Sequence, residues 1–190
     1  DYHSSLGTAL LVTAFRRAGA VMGTDRAADV LRFAGKSASG QRMDLGRGWW
    51  AERAFDRLHF VCDARKPEPG PPFELTPPRG ALEWGGWKLV WRRETAPSRM
   101  GREDMTTWLT PVPLSIREWS EGDRVRPLGG TGHRLVVRCF QDARVPRRQR
   151  RAWPVFQAGS EIVWVPGVVR ADGLVPPAGE EALRIDASFG

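Results

Sequence analysis

The chain has 190 residues, 41% hydrophobic and 27% charged, a globular composition long enough for one or two domains with a real core and too apolar for wholesale disorder. No apolar run nears the ~18 residues of a membrane span, and Asp1-Tyr2-His3-Ser4-Ser5 lacks the basic-then-apolar order of a signal peptide, so a cytoplasmic protein with no membrane partner is expected. The formal charge is +7, with 29 Lys and Arg against 22 Asp and Glu, and Lys occurs only at 36, 66 and 88.

Leu6, Leu10, Leu11, Ala14, Phe15 and Ala18 fall at helical spacing, with Arg16 and Arg17 opposite and Gly19 as the stop. A second helix follows, with Thr24 as cap, Asp25 complementing the dipole, an inward stripe of Ala27, Val30, Leu31 and Ala34, and Gly35 ending it. From Gln41 the apolar period becomes two. Met43 and Leu45, then Trp49 to Phe55, then Leu58, Phe60 and Cys62 predict three short strands turning at Gly46 to Gly48 and at Asp56-Arg57.

A breaker-rich loop, KPEPGPP from Lys66, precedes the clearest local signal, ALEWGGWKLVW from Ala81 to Trp91. Gly85-Gly86 supplies the positive φ angles of a two-residue hairpin turn. The flanking Trp84 and Trp87 have two uses, packing across the hairpin mouth or stacking on bases. A strand from Met105 to Thr110 ends where Pro111 and Pro113 interrupt regular structure. Cys62 and Cys139 form no CxxC pair and each sits in an apolar run, as reduced core residues do.

The charge is concentrated. Between Arg117 and Arg151 lie ten arginines and four acids, net +6, whereas the other 155 residues carry 19 basic and 18 acidic side chains. Such a footprint fits a polyanion, RNA or DNA foremost, or else a solvated arginine-rich face. Leu114 and Ile116 alternate as a strand entering the turn Glu121-Gly122-Asp123, where Gly122 takes the left-handed conformation and Asp123 bonds its own backbone. Arg124 and Arg126, two apart on extended chain, point the same way. The loop Gly129-Gly130-Thr131-Gly132 offers open amides, though without the nucleotide-loop lysine pattern. His133 to Gln141 predicts a helix with Arg134 and Arg138 on one outer face, an arrangement that favours a bound anion. Pro146 starts a further turn on which Arg147, Arg150 and Arg151 share a side. Ile162 to Val165 reads as a strand running to the turn Pro166-Gly167, with Arg170 just beyond.

These pieces, in order, resemble the C-terminal region of tRNA(Ile)-lysidine synthases. That family tends to carry an R-x-x-x-x-G-D-R-x-x-P-L-G turn, then Phe and Asp shortly before V-P-R-x-x-R-x-x-x-P, then W-x-P-G. The matching positions run through Arg117, Gly122, Asp123, Arg124, Pro127, Leu128, Gly129, Phe140, Asp142, Val145, Pro146, Arg147, Arg150, Pro154, Trp164, Pro166 and Gly167. The likeness is strong over about 114 to 167 and looser before, where two helices and the strands from Asp44 resemble the family's middle domain. It departs in having no S-G-G-x-D-S pyrophosphate loop, and in arginine (134, 138) where family lysines are expected.

The resemblance implies an α+β fold: a helical hairpin (1–37), a small antiparallel β domain (38–111) and an α+β tRNA-binding domain (112–190). It implies tRNA as partner, isoleucine tRNA in particular, gripped by Arg117, Arg124, Arg126, Arg134, Arg138, Arg144, Arg147, Arg148, Arg150, Arg151 and Arg170, with Gly122, Asp123, Gly129 and Pro146 shaping the turns. The family joins lysine to a wobble cytidine at the expense of ATP. ATP and lysine would then belong to a pyrophosphate-loop domain elsewhere, leaving no cofactor, metal or catalytic residue here. Two other readings stand beside it. One is a protein-interaction module with arginines for an acidic partner and nine tryptophans as anchors; the other is a stand-alone enzyme using His3, His59 or His133, which form no recognisable catalytic cluster.

Overall fold

The structure, a computed structural model, describes residues 2–17, 20–62, 68–76, 78–99, 101 and 104–189, without the side chains of 2–4. The expected helix stop at Gly19 and the side chain of His3 lie outside the described residues. Two compact units emerge, Asp1–Lys66 and Pro67–Gly190.

In the first, α1 (Tyr2–Arg17) and α2 (Thr24–Lys36) precede a meander of β1 (Arg42–Gly46), β2 (Trp49–Ala54) and β3 (Arg57–Cys62). Gly23, not Thr24, occupies the N-cap, and no side chain caps it. Phe15, Met22, Ala27 and Val30 are buried, with Met43, Leu45, Trp49 and Phe60 packed against them. The Phe15 ring lies 4.7 Å from that of Phe60 and 5.4 Å from that of Trp49.

The second unit is where the α+β expectation fails. Strand makes up 41% of the chain and helix 21%, in four antiparallel sheets. The helix expected over His133 to Gln141 is shorter, α3 (Val136–Asp142), and the turn expected after Pro146 is α4 (Arg147–Arg150). The same region carries seven strands: β8 (Leu114–Glu118), β9 (Arg124–Val125), β10 (Arg134–Leu135), β11 (Pro154–Ala158), β12 (Glu161–Val165), β13 (Val169–Arg170) and β14 (Glu181–Phe189). β9 and β10 pair with each other, and the rest, with β4 (Phe73–Leu75), β5 (Arg79–Trp84), β6 (Trp87–Thr95) and β7 (Thr106–Leu109), form a five-stranded sheet ordered β13-β12-β11-β8-β4 and a four-stranded sheet ordered β5-β6-β14-β7.

The register explains why the sheets hold. The hairpin pairs Trp84 with Trp87 across Gly85 (φ 56°) and Gly86 (φ 85°), angles at which a Cβ would be strained. Nine-residue β14 runs beside β6 from Glu181↔Thr95 to Phe189↔Trp87. Leu89, Trp91, Leu183 and Ile185 of one sheet share a core with Leu114, Ile116, Phe156 and Trp164 of the other. Each fully buried Leu, Ile or Phe there stabilises by roughly 1.5–3 kcal/mol. Both faces of the five-stranded sheet are covered: Val155, Ile162 and Val165 belong to a second core with Val125, Val136, Cys139 and Phe140. That second core seats α3 and the β9-β10 ribbon, and so positions the arginine-rich segment.

Candidate nucleic-acid interface

The segment begins with an arginine that faces inward. Strand β8 sets Arg117 opposite Val155 of β11. From there its Nε donates to Gln157 Oε1 at 2.8 Å, and Nη1 and Nη2 donate to the two Asp123 carboxylate oxygens at 2.8 and 2.9 Å. The same carboxylate accepts from the Ser120 amide at 2.8 Å, and Gly122 at φ 93° closes the turn. Arg117 and Asp123 therefore hold the turn together. The sequence expectation that Asp123 bonds local backbone is met, and Arg117 has its donors occupied within the chain.

Beyond the turn, Val125 is buried at 1% exposure, so Arg124 and Arg126 on either side of it both face solvent, as a period of two requires. Arg126 lies 3.5 Å from Asp172 in a surface pair. Gly129 and Gly132 take positive φ, and the Gly130 amide donates to the Pro127 carbonyl at 2.8 Å. The loop does not run straight into a helix, because β10 intervenes and α3 starts only at Val136. Arg134 accordingly sits on β10, paired with Val125 of β9, and donates to the Asp142 carboxylate. The expected helical face shared by Arg134 and Arg138 does not exist. Arg138, on α3 and exposed, donates to Gln141 Oε1 at 3.2 Å.

Helix α3 ends with Arg144 in the left-handed region, φ 53°, while the Val145 amide donates back to the Phe140 carbonyl at 2.9 Å. Pro146, φ −58°, then precedes α4. Arg147 is exposed and Arg148 half-buried. Arg150 is 8% exposed, donates Nε to the Val145 carbonyl at 3.0 Å, and rests 5.8 Å from the Phe140 ring centroid. Burial, and then the neighbouring Arg147 charge, lower its pKa. Arg151, 73% exposed in its side chain, stands 3.8 Å from Glu118. Arg147, Arg150 and Arg151 line one cleft of about 480 Å³ together with Glu118, Trp119 and Glu121.

Arg170 leaves the interface altogether. It is 1% exposed on β13, donates to Thr107 Oγ1 and reaches the Leu174 carbonyl at 3.5 Å, and burial lowers its pKa. Nothing in the string VVRAD distinguishes a buried arginine from a surface one. Trp119 directly follows β8. It is half-buried against Phe140, ring centroids 5.7 Å apart at 72°.

The tryptophans settle differently from either expected surface use. Trp84 and Trp87 are 1% exposed, Trp84 Nε1 donates to the Pro71 carbonyl at 2.7 Å, and Trp87 meets Trp153 edge-on at 4.7 Å. Trp49, Trp50, Trp108, Trp119 and Trp153 are half-buried, and Trp91 and Trp164 buried. Four of the nine tryptophans are thus committed to the core, and the five half-buried ones remain as the aromatic surface. His59 is half-buried in β3, and His133, exposed, lines a second cleft with Arg126. Among the described residues no three His, Cys, Asp or Glu side chains converge as metal ligands do, and no helix is long and apolar enough to cross a membrane.

Residues 114–187 match the family model described as the TilS substrate C-terminal domain. A tRNA(Ile)-lysidine synthase of Symbiobacterium thermophilum is 32% identical over 178 residues, covering 82% of this chain and 35% of that protein. Another, of Geobacter sulfurreducens, is 38% identical over 106 residues, 53% of this chain and 22% of that protein. The chain therefore spans about a third or less of these relatives. A solved structure described as the crystal structure of the TilS C-terminal domain shares the fold at a TM-score of 0.53 and 22% identity, over 63% of this chain and 98% of that one. The exposed arginines Arg124, Arg126, Arg134, Arg138, Arg144, Arg147 and Arg151 all fall inside the matched span, and the chain thus carries, at residues 114–187, a member of the TilS substrate C-terminal domain family within a longer stretch similar to tRNA(Ile)-lysidine synthases.

Proposed function

We propose that this chain is the tRNA-binding portion of an ATP-dependent tRNA(Ile)-lysidine synthase, the enzyme that joins lysine to the wobble cytidine, and that isoleucine tRNA is its partner in the cytoplasm. ATP and lysine are handled by a pyrophosphate-loop domain outside this chain. One observation supports the reading most: within the matched domain, residues 117–151 carry ten arginines and four carboxylates.

The grip is reassigned from the full set expected of the sequence. Arg124, Arg138 and Arg147 present charge outward, with Arg144 beside them in sequence. Arg126, Arg134 and Arg151 stand in surface ion pairs worth about 0–1 kcal/mol each, which a phosphate can replace at small cost. Contacts of this kind give affinity and register rather than sequence readout. With about five phosphates neutralised, log K for folded tRNA falls with log salt at a slope of about −3 to −4. Filter binding or anisotropy between low and moderate salt tests this. Affinity indifferent to salt, or no binding at low salt, refutes the proposal.

A further inference from the structure

The cleft between the 118–121 turn, α3 and α4 has a composition that backbone gripping does not explain. Its cationic side is Arg147, Arg150 and Arg151, but Glu118 and Glu121 also line it, and Trp119 gives it a flat aromatic wall. Carboxylates repel phosphates, so a surface built only to hold a polyanion has no use for two of them beside its densest arginines. Nor does close pairing within the described residues account for them: Glu118 Oε2 stands 3.8 Å from Arg151 Nε, with both side chains about half exposed or more. Glu121 is exposed as well.

A nucleobase uses all three kinds of group. Its ring stacks on an indole, its N–H groups donate to a carboxylate, and the phosphates on either side meet arginines. The cleft volume, about 480 Å³, lies within the ~300–1,000 Å³ of small-ligand sites. Guanine makes the fullest match. Its N1–H and N2–H donors lie side by side and can bind one carboxylate in a fork, while O6 and N7 accept from a guanidinium. Uracil and adenine each lack that adjacent pair of donors. We infer that this cleft receives one unpaired guanine nucleotide, stacked on Trp119 and read by Glu121, with its flanking phosphates on Arg147 and Arg151. The inference rests on the RNA-binding reading above and adds to it a single point of base recognition.

The arrangement also gives Arg150 a purpose. Held between the Val145 carbonyl and the Phe140 ring, it forms the fixed back of the cleft, so the pocket is preformed rather than assembled from loose side chains. Preformed sites lose less ordering entropy on binding.

The test uses the full chain and five RNA probes: a blunt duplex, the same duplex with one 3′-overhanging guanosine, and the same with each of the three other bases as overhang. Anisotropy titrations at fixed salt are expected to show the guanosine overhang bound about tenfold more tightly than the blunt duplex, with the other bases gaining less. Trp119→Leu, which keeps an apolar contact for Phe140 while removing the flat ring, abolishes the overhang gain and leaves blunt-duplex affinity unchanged. Glu121→Gln leaves a gain from any overhang and erases the preference for guanosine. Equal affinity for blunt and overhanging duplexes, both salt-sensitive, overturns the cleft and spares the RNA-binding reading. Equal gains from all four bases overturn the guanine assignment. Absence of binding to every probe and to tRNA overturns both.

Discussion

Two arginine-rich regions of this molecule treat their charge in opposite ways. On the four-stranded sheet, Arg92 of β6 and Arg184 of β14 lie directly opposite each other in register, a like-charge pairing that is unfavourable in itself. Two carboxylates resolve it. Arg92 reaches Glu94 at 3.0 Å and Asp186 at 3.4 Å, and Arg184 reaches the same two at 3.3 and 2.9 Å, with its guanidinium 5.2 Å from the Trp108 ring centroid. For this facing pair the count is two against two, and the pair needs nothing from outside. Residues 117–151 hold ten arginines against four acids, an excess that the segment's own acids do not balance. The difference teaches that arginine density says little about ligands until the carboxylates within reach have been assigned to their partners.

The sharpest way to break the comparison is to remove arginines of the second region that behave like those of the first. Arg117→Ala strips a half-buried carboxylate of its bidentate partner and frees the 120–123 turn, and is expected to destabilise by about 2–3 kcal/mol in urea unfolding. Arg150→Ala costs about 1–2 kcal/mol through lost packing on Phe140 and an unanswered Val145 carbonyl. Should either variant unfold like the parent chain while losing RNA affinity, the division of arginines into internal and outward-facing is wrong.

The complementary change removes only outward-facing charge. Replacing Arg124, Arg138 and Arg147 together by Ala is expected to leave the unfolding midpoint within about 0.5 kcal/mol of the parent, since exposed residues away from special features contribute little. The same variant should lose about 2–3 from the magnitude of the salt slope of tRNA binding, close to one per phosphate contact. Titration in a salt series reads both affinity and slope. An unchanged slope would move the grip away from α3 and α4.

How much of this was legible beforehand follows from how local each feature is. The α1-α2 hairpin, the meander and the Gly85-Gly86 hairpin are written in nearby residues, and periodicity finds them. The Gly122-Asp123 turn is equally local. By contrast β14, whose Leu183, Ile185 and Ala187 alternate plainly, takes its place only by pairing with β6, far back along the chain, and no local signal names that partner. Arg134 falls on a strand because β9 is there to pair with it, a contact that helical spacing cannot foresee. The position of the basic segment was readable from charge alone. Which arginines remain available was not, because that depends on Asp172 and on the burial of Arg150 and Arg170, which the fold decides.

The balanced region makes its own, smaller prediction about acid. Burial opposes ionisation of Glu94, but the Trp108 N–H bond and the charges of Arg184 and Arg92 outweigh it and hold its pKa below the ordinary value of 4.5. A depressed carboxylate pKa stabilises the fold above that ordinary value, and the contribution is lost as pH falls through the lowered one. Thermal unfolding of the parent chain should therefore drop more steeply on acidification below that value than unfolding of Glu94→Gln. The effect is modest, since the group is close to solvent and screened, and parallel curves for the two proteins would show that the lattice on this sheet adds nothing.

Arg144 separates stability from binding at a single residue. It ends α3 in the left-handed conformation, where helices commonly place glycine because a Cβ meets the following carbonyl there at a cost of about 1–2 kcal/mol. Glycine would relieve that strain and give part of the gain back as extra freedom in the unfolded chain, so Arg144→Gly is expected to stabilise by about 0.5 kcal/mol. If the arginine is kept there to meet phosphate, the same substitution weakens tRNA binding and lowers the salt slope by about one. Melting temperature and salt titration of one protein then move in opposite directions. A rise in stability with binding untouched would remove Arg144 from the grip, and a loss of stability would mean that its own interactions at the end of α3 outweigh the backbone strain.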